Sequence, residues 1–181
     1  LTSLINFFKQ FNATIYKAEK INTHGGSIRI YIKKGKKTKI DKSVNQLIKE
    51  ENNYGIKDFR TYQKFGEKVY NIRNNVIKNL NKLKKQGKKI IGYGSPAKAT
   101  TALNFFGTTD QIDFIVEDNK LKHNKFIPGV KIPIYSKNKV KDKNNITLVL
   151  AWNFFEEIEK NNQSLSNKFI NIKALEDNMI D

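Results

Sequence analysis

The segment Gly92-Tyr93-Gly94-Ser95-Pro96-Ala97-Lys98 carries the residues best suited to chemistry in this chain. It follows a short apolar run, Lys89-Ile90-Ile91-Gly92, that reads as a buried strand, and it opens a helical stretch from Ala97 to Phe106. A strand that turns through Gly-x-Gly into a helix leaves backbone N–H groups free at the helix start, where the helix dipole also favours an anion. The two glycines allow a sharp turn and a close approach to a ligand. Pro96 suits the first helical turn, where its missing N–H costs nothing. Lys98 adds a point charge, and Ser95 is a candidate helix cap or phosphate donor. The local pattern fits a tight turn with no ligand as well as a phosphate site, with NAD the first guess. The third glycine of the dinucleotide fingerprint is absent, because Ala97 and Ala99 occupy that region.

Further candidates lie where other strands end. Glu117-Asp118-Asn119 closes a strand Ile112–Val116, at the spacing where Rossmann folds keep an acid for a ribose hydroxyl. Asp118 and Asn119 are therefore candidates for ribose or sugar contacts. Trp152-Asn153 follows the strand Ile146–Trp152, at the carboxyl end where open α/β sheets place ligands. A Trp there stacks on a base or sugar while Asn153 hydrogen-bonds; equally, it is a core-edge Trp with Asn153 capping the next helix. His123 sits in the polar loop Lys120–Lys125 and reads as a solvated side chain.

The elements that position these residues follow from hydrophobic periodicity. Leu4–Phe11 is spaced as an amphipathic helix, Thr14–Glu19 and Ser27–Ile32 read as strands, and His24-Gly25-Gly26 turns between them. That hairpin lacks room for a core of its own and is expected to belong to a larger sheet. Ser43 is the expected cap of a short helix ending near Glu50. A long helix follows from about Asp58 to Gln86, with an apolar stripe of Phe59, Tyr62, Phe65, Val69, Ile72, Val76, Leu80 and Leu83 read as packing, and Gly87 ends it. From residue 88 short apolar strands alternate with helices, the signature of a parallel sheet in an α/β domain.

The composition excludes several classes. With no Cys there is no thiolate metal site, disulfide or cysteine nucleophile, and the two His are far apart without ligand spacing, so no metal site is expected. No apolar run is long enough to span a bilayer, which predicts a chain outside the membrane and cytoplasmic. The net charge of +17 attracts polyanions, yet only Arg29, Arg60 and Arg73 among 34 cationic residues are Arg, the preferred reader of bases and clamp of phosphates. The Lys residues are spread along the chain beside heavy Asn and Ile use. A solvated basic surface is the simpler reading, and no nucleic-acid partner is expected.

Gly92-Tyr93-Gly94-Ser95-Pro96-Ala97-Lys98, followed by Thr101, Leu103 and Asn104, resembles the G-Y-G-A-P-A-K…T-x-L-N turn of the C-methyltransferase C-terminal domain. The resemblance runs on through Val116-Glu117-Asp118-Asn119, Lys122, Phe126-Ile127-Pro128-Gly129, Ile132-Pro133-Ile134, Leu150-Ala151-Trp152-Asn153-Phe154 and Glu157-Ile158. Upstream, His24-Gly25-Gly26-Ser27-Ile28-Arg29 is similar to the family's H-G-G-S-L-R segment.

The resemblance implies an α/β fold: a Rossmann-like, mostly parallel sheet flanked by helices, preceded by a helix and antiparallel strand pair left from a class I methyltransferase domain. Residues 1–38 would be the tail of that S-adenosyl-L-methionine (SAM) domain, 39–86 connecting helices, and 87–181 the sugar-nucleotide-binding domain. It implies the substrate-binding portion of a SAM-dependent enzyme that removes a proton beside the ketone of a nucleotide-linked 4-keto sugar and transfers a methyl group to that carbon, in deoxysugar biosynthesis. The expected substrate is a dTDP-sugar. Its contacts would come from Gly92, Tyr93, Gly94, Ser95, Pro96, Ala97, Lys98, Thr101, Asn104, Asp118, Asn119, Trp152 and Asn153. His24 is the expected catalytic base, a role that suits imidazole near neutral pH. Thr23 stands where relatives carry an acid. SAM is expected to bind an upstream domain, and zinc to belong to the parent family alone, because neither the SAM glycine loop nor the zinc cysteines are present here. The chain by itself is then expected to be inactive and a piece of a longer protein. A stand-alone nucleotide or dinucleotide-binding module without methyltransferase activity is the alternative.

Overall fold

The computed structural model describes residues 1–23, 25–35 and 38–177, and the chain divides into two compact units, Leu1–Glu67 and Lys68–Asp181. The division falls inside a long helix, whereas the sequence reading placed boundaries at 38/39 and 86/87.

The first unit begins with α1 (Thr2–Lys9), β1 (Ala13–Ile21), β2 (Ser27–Lys34) and α2 (Lys42–Tyr54). β1 and β2 pair antiparallel from Ala13↔Lys34 to Ile21↔Ser27, with a bulge between Ile15 and Lys17. The bulge accounts for two buried positions three residues apart, Ile15 and Ala18, which strict alternation would send to opposite faces. These two pack with Val44, and Leu4, Ile5, Phe8, Ile30, Leu47 and Ile48 close around them. The hairpin therefore has a small core after all: α1 and α2 supply the apolar cover that the two strands lack. Asp41, not Ser43, is the cap of α2, its carboxylate accepting from the Ser43 amide at 2.9 Å. The Ser43 hydroxyl instead accepts the Ala18 N–H of β1 at 3.2 Å.

The long helix α3 (Phe59–Lys85) crosses the division. Its apolar stripe packs only in the second half. Val76, Leu80 and Leu83 are buried, but Phe59, Tyr62 and Phe65 are exposed, which corrects the reading of the whole stripe as core.

The second unit holds β3 (Lys89–Tyr93), α4 (Ala97–Phe106), β4 (Phe114–Val116), β5 (Ile134–Tyr135), β6 (Asn145–Val149), α5 (Phe155–Asn161) and β7 (Lys168–Asn171). Among the described residues the strands form one five-stranded sheet in the order β5-β4-β3-β6-β7, every pairing parallel. Both faces are covered, so β3 reads as a continuous apolar run. Ile90 faces the larger core with Leu80, Leu83, Leu103, Ile115 and Leu148. Ile91 and Tyr93 face the other side with Val116 and Leu165. The order reverses between β3 and β6, and the carboxyl ends of strands at such a switch point are where open α/β sheets place ligands.

Candidate functional site

The turn after β3 and the segment after β6 lie side by side at the switch point. The Leu150 N–H donates to the Tyr93 carbonyl at 2.9 Å, and the Gly94 N–H donates across to Val116 of β4 at 2.8 Å. The two glycines of the turn do different work. Gly92 has no room for a side chain, since a Cβ there would come within 2.8 Å of Ile115 Cγ1 and 3.0 Å of Leu150 Cδ1; it serves the core. Gly94 has φ +85°, the left-handed region, and a Cβ there would meet the Ala151 Cβ at 3.1 Å.

Pro96 stands one place earlier than a first-turn proline, as the cap residue of α4, with extended backbone and no side-chain cap bond. Ala97 is the first helical residue. The Ala99 and Thr100 amides donate to the Pro96 carbonyl. The amides of Ala97 and Lys98 have no partner among the described residues, and they are the donors α4 offers to an anion. Ser95 is not a helix cap. Its amide (2.9 Å) and hydroxyl (2.5 Å) both donate to Glu117 Oε2.

Glu117 is the group that the sequence reading placed near a ribose without giving it a role. Its other oxygen accepts the Asn119 amide at 3.0 Å, and Lys122 Nζ approaches Oε2 at 3.4 Å while donating to the Ser95 carbonyl at 2.9 Å. Burial opposes the charge on this carboxylate. The hydrogen bonds from the Ser95 hydroxyl and the Asn119 and Ser95 amides, with the Lys122 charge, outweigh burial and hold the carboxyl at about 2. Asp118 is likewise lowered. Burial works against its charge, but the Tyr93 hydroxyl (2.7 Å) and the Lys137 ammonium (2.9 Å) stabilise it. Burial raises the Tyr93 phenol, helped by its bond to Asp118. Tyr93 thus points to the opposite face of the sheet from Gly92, tying the end of β3 to the end of β4.

Asn119 Oδ1 caps the short 3-10 turn Lys120–Lys122 by accepting the Leu121 amide at 3.0 Å. His123 is half-buried rather than solvated. Its Nε2–H donates to the Glu117 carbonyl at 2.7 Å, so the loop it occupies is fastened to the end of β4.

After β6, Trp152 packs at the edge of the larger core, and the Lys98 ammonium lies 4.2 Å from the centroid of its ring. The neighbouring Asn153 is exposed and does not cap α5, whose cap residue is Phe154. Thr101 is exposed and its hydroxyl turns back to the Ala97 carbonyl at 3.4 Å. Asn104 holds a loop: its side-chain amide donates to the carbonyls of Thr100 and Pro128, both at 2.8 Å, while Gly129 lies tight against it. The structure therefore brings Gly94, Ser95, Pro96, Ala97, Lys98, Trp152 and Asn153 to one place, with Asp118 and Asn119 on the adjoining turn. It sets Gly92, Tyr93 and Asn104 into packing or bracing positions. His24 lies outside the described residues.

The arrangement suits a phosphate-bearing ligand: two amides, one ammonium and an aromatic face with an amide side chain beside it. The Glu117 carboxylate is held by Ser95, Asn119 and Lys122, while Asp118, the acid expected on a ribose, is engaged by Tyr93 and Lys137 and stays largely exposed. Among the described residues, no group of three or more His, Cys, Asp or Glu could hold a metal ion, and no helix is long and apolar enough to cross a membrane.

A family model, the C-methyltransferase C-terminal domain, matches residues 22–172. The chain is also similar to the C-methyltransferase NovU of Streptomyces niveus, with 29% identity over 164 residues, covering 89% of this chain and 39% of that protein. The chain thus spans well under half the length of the curated relative it matches.

Proposed function

Because the chain belongs to the C-methyltransferase C-terminal domain family, we infer that it is the substrate-binding portion of a SAM-dependent C-methyltransferase acting on a nucleotide-linked 4-keto sugar. The family match over residues 22–172 carries the reading. The site geometry supports it: a turn with two free amides and Lys98 would receive the phosphate, and Trp152 and Asn153 would meet the base or sugar. The methyl donor would bind an upstream domain, since this sequence carries no counterpart of the SAM glycine loop. His24 is the group to accept the proton from the carbon next to the ketone in the complete enzyme. The substrate would be a dTDP-sugar, and the setting the cytoplasm.

Isothermal titration with a dTDP-sugar and with short DNA at physiological salt tests the binding part. Saturable sugar-nucleotide binding is expected; DNA binding with a steep salt dependence and no affinity for the sugar nucleotide would overturn it. For the chemistry, His24→Gln in the complete enzyme should abolish solvent exchange of the proton beside the ketone. Retained exchange would remove His24 as the base.

A stand-alone nucleotide-binding module is favoured by one observation. The second unit has a five-stranded sheet and a substantial core of its own. Sugar-nucleotide binding without methyl transfer by the complete protein would select that reading.

A further inference from the structure

We propose that Glu117 is the positioning residue of the turn after β3, acting through Ser95 to leave the Ala97 and Lys98 amides aimed at a nucleotide's phosphate. The proposal rests on the sugar-nucleotide reading of this site.

Glu117 is nearly buried, its side chain 13% exposed, yet it is charged. What holds it there is a set of donors from two different turns. From the turn after β3 come the Ser95 amide and hydroxyl; from the turn after β4 come the Asn119 amide and the Lys122 ammonium. Lys122 also binds the Ser95 carbonyl, so Ser95 is gripped at its amide, its side chain and its carbonyl. On one side of it Gly94 takes a left-handed conformation that few other residues adopt, and on the other Pro96 has its φ fixed by its ring. Three consecutive residues before α4 are therefore held before any ligand arrives. The two amides that follow have no partner among the described residues. Fixing donors in advance lowers the ordering cost of binding, which is how a residue that never touches the ligand raises its affinity.

The carboxylate is needed, not merely a polar side chain of that length. Each Glu117 oxygen faces an N–H: Oε2 faces Ser95 and Oε1 faces Asn119. A glutamine offers one oxygen and one NH2, so in either orientation its NH2 confronts a donor. The turn must then shift to relieve the mismatch. The negative charge lies beside Lys122 and among hydrogen-bond donors, which limits its repulsion of a phosphate.

The test is a titration of dTDP and of thymidine, the same nucleoside without phosphate, into the wild-type chain and into Glu117→Gln and Ser95→Ala variants. Wild type should prefer dTDP strongly. Glu117→Gln should weaken dTDP by about tenfold or more while changing thymidine little, so that the preference collapses. Ser95→Ala should shift the preference in the same direction by less, because the backbone amide still reaches Glu117. A purely structural role would weaken both ligands in proportion and would overturn the proposal, as would unchanged or tighter dTDP binding by Glu117→Gln. If Glu117→Gln does not fold, Ser95→Ala decides alone, and an unaltered preference there refutes the role. Failure of wild type to bind dTDP defeats the sugar-nucleotide reading itself, and this proposal with it.

Discussion

The Lys98 ammonium stands 4.2 Å from the centroid of the Trp152 indole, joining the first turn of α4 to the segment that follows β6. A cation over an indole face contributes about 0.5–1 kcal/mol when exposed and about 2 kcal/mol when desolvated. Before ligand arrives the pair holds the two groups against each other. A bound phosphate would compete for Lys98, and a base or sugar would compete for the indole.

Trp152 is the one Trp of the chain, so intrinsic Trp emission reports the surroundings of this one side chain. Titrating dTDP into wild type should shift the emission in a saturable manner. Lys98→Met should alter the emission of the free protein and weaken dTDP by about tenfold, the loss expected for one charge-assisted contact. A dTDP titration that leaves the emission unmoved would place the ligand away from Trp152.

The two glycines of the turn should separate when each becomes Ala. Gly92→Ala puts a methyl within 2.8 Å of Ile115 and 3.0 Å of Leu150, both fully buried, and overpacking of that kind costs about 1–3 kcal/mol. Melting temperature should fall by several degrees while the affinity of the folded protein for dTDP changes little. Gly94→Ala strains a left-handed residue by about 1–2 kcal/mol and displaces the turn itself, so it should lower both stability and affinity. Thermal melts alongside titrations measure the split.

Much of this was readable in the sequence. Short strands of Ile and Val between helical stretches identified a parallel sheet, and the stripe read along α3 as packing includes Val76, Leu80 and Leu83, which are buried. Periodicity could not tell that Phe59 and Tyr62 stay exposed, because it reports which residues share a helix face and not whether anything covers that face. It also missed the bulge that buries both Ile15 and Ala18. At the site, the residue types around Gly94 and Lys98 suited either an anion or a bare tight turn, and the turn into α4 is formed as read. The engagement of Glu117 by Ser95 depends on two turns meeting in space, 22 residues apart in sequence, and no local pattern carries that information.

The depressed Glu117 carboxyl makes stability depend on pH in a defined direction. The folded protein holds this group at about 2, against 4.5 when unperturbed. As pH falls, the unfolded chain takes up the proton first, so the contribution is complete above about 4.5 and is lost as pH drops towards about 2. After allowance for solvent screening, a contribution of about 1–2 kcal/mol is expected. Asp118 is shifted in the same direction, so the wild-type profile alone does not isolate Glu117. Wild type should exceed Glu117→Gln in stability at neutral pH, and denaturant titrations should show the gap narrowing through that acid window. A gap that stays constant with pH would mean that the carboxylate charge is not the stabilising element.

The Asn104–Gly129 contact predicts a coupled pair. Asn104 donates to the Pro128 carbonyl at 2.8 Å, which draws the loop so close that a Cβ on Gly129 would lie 1.8 Å from Asn104 Oδ1. Gly129 also has φ +83°, so Gly129→Ala brings backbone strain as well as a collision. Asn104→Ala alone removes the hydrogen bonds to Thr100 and Pro128 and should cost about 1–2 kcal/mol. In a Gly129→Ala background the Asn104 side chain has already been pushed from the loop, so the second substitution has little left to remove and it relieves the clash. The double variant should therefore be more stable than the sum of the single losses predicts, by about 1 kcal/mol or more, and the strain at φ +83° should persist as a residual deficit. Additive losses in urea unfolding would show that the loop is held by contacts other than Asn104, such as the Ile127 amide donating to the Ile132 carbonyl at 2.9 Å.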